Sequence, residues 1–104
     1  SVFKKMNLAP HPALPLEEAI RRLYNRVELQ TCGAVSSETH VLAVDNKVVI
    51  VTRGTPSDRS PAYEETLRTE FAAEFGCSIE SLRTRVSLSD DEKMEIFVLN
   101  RPFA

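Results

Sequence analysis

Cysteine, glycine and histidine are scarce in this chain and tryptophan is absent: two Cys, three Gly and two His in 104 residues. Metal sites need clustered ligands in closed geometry. Here His11, Cys32, His40 and Cys77 are spread too widely to supply them, and no metal site is expected. The two cysteines also lie too far apart for a disulfide framework. An excess of one charge is missing too. Thirteen Lys and Arg stand against fifteen Asp and Glu, a formal charge of -2. Dedicated nucleic-acid and membrane-surface binders draw affinity from surplus basic side chains, so neither class fits. No run approaches the roughly 18 apolar residues of a membrane-spanning helix. The start, Ser1-Val2-Phe3-Lys4-Lys5-Met6, has lysines but no apolar stretch behind them, unlike a signal peptide. Cytoplasmic residence is therefore expected. A first residue other than Met is expected of a processed chain, a tag remnant or a piece of a larger parent.

Hydrophobic residues make up 42% and charged residues 27%, which is ordinary globular composition. At this length one domain is expected. Residues 1–15 carry Pro10, Pro12 and Pro15 and read as a flexible tail, leaving 16–104 as the domain. Leu16, Ala19, Ile20, Leu23, Tyr24 and Val27 recur at helical spacing, with Pro15 suited to the first helical position and Glu17 and Glu18 to the positive end of the dipole. His40–Val44 and Val48–Thr52 read as two strands joined by Asp45-Asn46-Lys47. Both are apolar at nearly every position, which predicts central strands covered on both faces or along an oligomer face. Ser60-Pro61 is expected to open a second helix bearing Tyr63, Leu67, Phe71 and Phe75 on one stripe, with Gly76 as its stop. Alternation returns in Leu82–Leu88 and again in Met94–Leu99.

The order is helix, strand, strand, helix, strand, strand. It predicts an α+β two-layer sandwich, four antiparallel strands with two helices on one face, cyclically the ferredoxin-like order begun at its first helix. The halves also match in detail. Leu16–Arg21 resembles Tyr63–Arg68 at an offset of 47, and Asp45–Ile50 resembles Asp91–Ile96 at an offset of 46. A duplicated helix–hairpin unit would leave such matches, although acidic helix starts and Asp/Asn/Lys turns are also generic.

Three groups of residues carry candidate chemistry. The loop Thr52–Pro61 offers Arg53, Gly54, Thr55, Ser57, Arg59 and Ser60 ahead of a helix N-terminus, where free N–H groups attract anions. It has no Walker-type or dinucleotide-binding glycine spacing, and a small anionic ligand held there is the second functional reading. Cys32 and His40, oriented by Glu38 or Asp45, are the residues a nucleophilic enzyme would need; their spacing matches no catalytic signature. Asp90-Asp91-Glu92 reads as a solvated acidic hairpin tip, and Cys77 as a small buried apolar residue. Arg21, Arg22, Arg26, Arg83 and Arg85 do not suffice for RNA, because sheet-based RNA binders stack bases on exposed strand aromatics and the strands hold only Phe97.

From Leu16 to Leu99 the chain resembles a family of small bacterial proteins named after the C component of a membrane-potential-generating system. The features that carry the likeness are Leu23-Tyr24, the hairpin Val44–Ile50, the segment Glu65–Gly76 with Leu67-Arg68 and Phe71, and the closing Ile96–Leu99. The stretch between the hairpin and the second helix is shorter here than in that family. The resemblance implies a non-enzymatic accessory role and transfers no catalytic residue.

The leading expectation is a non-catalytic interaction or regulatory module that associates with itself or with a protein partner and needs no cofactor. With helices on one face, the other is expected to expose some of Val41, Ala43, Val49, Val51 and Phe97, the members depending on register.

Overall fold

The computed structural model describes residues 14–56, 60–88 and 91–103, with the side chains of 83–86 excepted. Most of the expected N-terminal tail, residues 1–13, lies outside that set, as do Ser57, Arg59 and Asp90. Helix α1 spans Pro15–Cys32, with Pro15 in its first turn. Its apolar stripe, Ile20, Leu23, Tyr24 and Val27, is fully buried. On its outer side Arg21 pairs with Glu18. That hydrogen bond holds the Glu18 carboxyl below its ordinary value. The pair therefore supports the helix start at neutral pH, and its contribution is lost as pH falls through the lowered value.

Strands β1 (Glu38–Val44) and β2 (Lys47–Arg53) form a hairpin closed at Asp45, whose φ is 55°. Helix α2 spans Ala62–Phe75. It starts one residue later than the proline rule suggests, with Pro61 at the cap and Ser60 Oγ accepting from the Ala62 N–H at 3.1 Å. The helix ends at Gly76 in the left-handed region, φ 68°, where a side chain would be strained. Strands β3 (Ile79–Ser87) and β4 (Glu92–Leu99) complete one antiparallel sheet in the order β1-β2-β4-β3. The α+β arrangement of two helices and four antiparallel strands thus follows the sequence pattern.

Register decides which face each side chain takes. Val48 lies opposite Ala43 and Phe97, and Ile50 opposite Val41 and Glu95. These positions face the helices. Val48, Ile50, Phe97 and Leu99 join the α1 stripe and Tyr63, Leu67 and Phe71 of α2 in one core, with Val41, Ala43 and Leu82 packed against it. Phe71 is the aromatic hub: its ring meets Phe75 at 4.7 Å, Phe103 at 6.2 Å and Phe97 edge-on at 6.3 Å. Cys77 is buried, as expected for a small apolar residue. The arginines with described side chains pair largely with glutamates: Arg26 reaches from α1 to Glu70 and Glu74 of α2, and Arg68 pairs with Glu64.

One expectation is corrected. Strand β1 is an edge strand, not a central one. Its apolar character is explained by α1 lying against it rather than by strands on both sides. Around the two-residue turn, the ladder alternation directs the Ala43 N–H away from β2. That N–H donates to Glu17 Oε2 at 3.0 Å, while Glu17 Oε1 accepts from the Leu14 N–H at 3.3 Å. A single buried carboxyl therefore fastens the helix start to the sheet edge. The opposite edge is treated similarly: Arg68 of α2 donates to the Ile79 carbonyl, and β3 breaks register at Ile79/Ser81 and Arg83/Val86. Capped or irregular edges resist strand addition. Replacing Glu17 by alanine is expected to cost about 1–3 kcal/mol, read as a lower urea midpoint, and to promote aggregation through the uncapped β1 edge.

Candidate functional site

The face of the sheet away from the helices is built in four cross-strand rows. Glu38–Arg53–Glu92 forms the first, His40–Val51–Met94 the second, Leu42–Val49–Ile96 the third and Val44–Lys47–Val98 the fourth. Among the described residues both helices and Phe103 pack on the opposite face. Leu42, Val49, Met94, Ile96 and Val98 are half-buried, Val44 is exposed, and Val51 between His40 and Met94 is 3% exposed. Of the residues expected on an exposed face, Val49 and Val51 are here. Val41, Ala43 and Phe97 are not: the register turns them toward the helices, and Phe97 is fully buried. Leu42, Met94, Ile96 and Val98 take their place. Strict alternation would have found them once the parity of β2 against the helices was known.

On β1, β2 and β4 the charged side chains of this face lie at the strand ends, while on β3 Arg83 stands opposite Ile96 in the register. At one end Arg53 lies 3.6 Å from Glu92 and 3.9 Å from Asp91, with Glu38 in the same row. Among the described residues Glu38, Asp91 and Glu92 gather there around Arg53. At the other end the row carries Lys47, exposed and 3.3 Å from Asn46 Oδ1, with Asp45 in the turn beyond it.

The loop expected to hold an anion is committed internally at Thr52, Gly54, Thr55 and Ser60, whereas Arg53 Nε is buried without a hydrogen bond among the described residues. Thr52 and Thr55 share a 2.6 Å hydrogen bond, the Gly54 N–H donates to the Asp91 carbonyl at 3.3 Å, and Ser60 Oγ accepts from the Ala62 N–H. Gly54 is required by geometry: its φ is +62°, and an added Cβ would stand 2.5 Å from Ser37 Oγ. Arg53 faces the acidic row of the sheet, and Ser57 and Arg59 lie outside the described residues. The Cys32–His40 pair is not assembled. The Cys32 sulfur meets Thr31 Oγ1 at 3.5 Å, whereas His40 Nε2 lies 3.2 Å from Glu38 Oε2 on the open sheet face. Asp45 is in the hairpin turn at the far end of β1. Among the described residues no group of three or more His, Cys, Asp or Glu could hold a metal ion, and no helix is long and apolar enough to cross a membrane.

Polar side chains buried beneath the helices form the part of the molecule least visible in the sequence. Glu95 of β4 accepts from Tyr24 of α1 at 2.5 Å and from Tyr63 of α2 at 3.1 Å, and the two rings meet edge-on at 6.2 Å. Glu28 accepts from Ser36 Oγ at 2.6 Å, the Ser36 N–H at 3.2 Å and Asn25 at 2.9 Å, tying the α1–β1 connection to its helix. Both carboxyl groups are enclosed. Their geometry serves to fix one packing of the layers. No protein-family model, curated protein or solved structure matches this chain.

Proposed function

We propose that this chain is a non-catalytic protein-interaction module that associates with a second copy of itself through the open sheet face. The observation that carries the reading is the run of apolar residues on three adjacent rows of that face, centred on Val49 and Ile96. A contiguous apolar patch away from the core is characteristic of an interface. Two further features favour stacking of faces over joining of edges: Glu17 occupies the Ala43 N–H on one edge, and register shifts interrupt the other. A symmetric dimer uses the same patch on both subunits, which suits a face whose own chemistry is apolar throughout its centre. An accessory role of this kind is also what the resemblance over Leu16–Leu99 implies.

Val49→Asp tests the reading. Its side chain lies on the open face, so the fold should be retained by circular dichroism. Burying an unpaired carboxylate at the centre of an interface is expected to weaken association by roughly 30-fold or more, measured by sedimentation equilibrium. Association unchanged in this variant would contradict the proposal.

A further inference from the structure

Oxidisable sulfur is placed selectively in this fold. The chain has two methionines and two cysteines, Met6, Met94, Cys32 and Cys77. Met6 lies outside the described residues. Cys77 is buried in the core, and Cys32 sits at the end of α1 beside Thr31. Among the described residues Met94 is the sulfur-bearing side chain of the open face. It stands opposite Val51 of β2 and Val86 of β3 in the register, with Ile96 next along the same face of β4. Its side chain is half-buried, so a small oxidant reaches the thioether in the single chain, whereas a second copy stacked on the face covers it. Hydrogen peroxide is such an oxidant. A sulfur lone pair attacks one peroxide oxygen, the O–O bond breaks, an S–O bond forms and the other oxygen leaves as water; sulfur loses two electrons and becomes the sulfoxide. A pliable apolar side chain thereby becomes a polar one. Among the described side chains of the two central rows, His40 carries the one polar group. It is separated from Met94 by β2 and lies 3.2 Å from Glu38 Oε2, while Arg83 belongs to the neighbouring row opposite Ile96. Stacked between two apolar faces, the sulfoxide loses its water, and it does so at both symmetric positions of a pair, which disfavours association. We infer that Met94 is an oxidation site controlling this pairing, an inference that rests on the self-association proposed above. Peroxide oxidises the free chain, and the sulfoxide holds it apart until a thiol-dependent reductase removes the oxygen as water, its two thiols becoming a disulfide.

Peroxide treatment of the intact chain tests this, in a Cys32→Ser background so that a disulfide between copies cannot imitate pairing. Mass spectrometry follows the oxygen gained on the peptide holding Met94, and circular dichroism checks that the fold persists. Complete oxidation should weaken association at least about tenfold by sedimentation equilibrium, and methionine sulfoxide reductase with dithiothreitol should restore it. Oxidation should also slow as the protein concentration is raised through the dissociation constant, because pairing covers the sulfur. Met94→Leu keeps an apolar side chain of similar size. It should pair like the parent and stay paired after the same treatment, which also controls for Met6. A pair that survives full oxidation of Met94, or that the treatment dissociates equally in Met94→Leu, would overturn the oxidation site; dissociation of the untreated chain by Val49→Asp would then leave the face assignment standing. A chain that is monomeric before treatment would overturn both.

Discussion

Glu95→Ala is expected to destabilise the fold by about 2–4 kcal/mol, with a matching fall in the urea midpoint. Glu95 is buried between the sheet and both helices, and the hydroxyls of Tyr24 and Tyr63 donate to its carboxyl. Truncation removes this acceptor from two hydroxyls enclosed in the core, and each buried polar group left without its partner costs about 1–3 kcal/mol. It also opens a cavity at the junction of α1, α2 and β4. The penalty should come from mismatch rather than from loss of polarity as such. Exchanging all three residues for apolar ones, Glu95→Leu with Tyr24→Phe and Tyr63→Phe, is expected to recover most of the stability. Association should be unaffected in both variants, since Glu95 faces the helices. A change below about 0.5 kcal/mol on Glu95→Ala would show that the three-element junction does not hold the layers together.

Phe71→Ala should have a comparable or larger effect, about 3–5 kcal/mol. The Phe71 ring is fully buried and touches the rings of Phe75, Phe97 and Phe103, so it joins α2, the sheet and the C-terminal segment. Its removal leaves a void between elements that cannot collapse independently, and edge-to-face contacts contribute beyond the buried area. A small domain has about 5–15 kcal/mol in total, so this variant is expected to be largely unfolded at moderate urea concentrations. Phe75→Ala is the control. That ring is only partly buried and its loss should cost clearly less.

The elements were legible in the sequence because each rests on local spacing. The three-and-four recurrence in Leu16–Val27 and Tyr63–Phe75, the apolar runs flanking Asp45-Asn46, and the stop at Gly76 all act within a few residues. What distant partners decide was not legible. Glu95 and Tyr24 are 71 residues apart, and nothing in Lys93-Met94-Glu95-Ile96 distinguishes a buried glutamate from a solvated one. Glu17 reads as a favourable charge in the first turn, yet its second oxygen serves the edge of β1. The apolar content of β1 suggested a central strand because coverage by a helix and coverage by a strand look alike in composition. The internal match is informative in the same way. On β2 the even positions Val48 and Ile50 face the helices, whereas on β4 the odd positions Phe97 and Leu99 do. An offset of 47, that of the helix match, keeps equivalent residues on one face; the offset of 46 in the turn match reverses them.

The face reading depended on the same parity. Val49 and Val51 lie on the sheet face away from the helices, Val51 itself only 3% exposed, whereas Val41, Ala43 and Phe97 turn toward the helices: alternation fixes which residues share a face but not which face the helices cover.

Light scattering behind a sizing column, at two concentrations of the intact chain, tests the central claim most directly. The account predicts a species of twice the chain mass at the higher concentration, shifting toward the monomer on dilution. A chain of monomer mass at both concentrations, across the micromolar range, would contradict it.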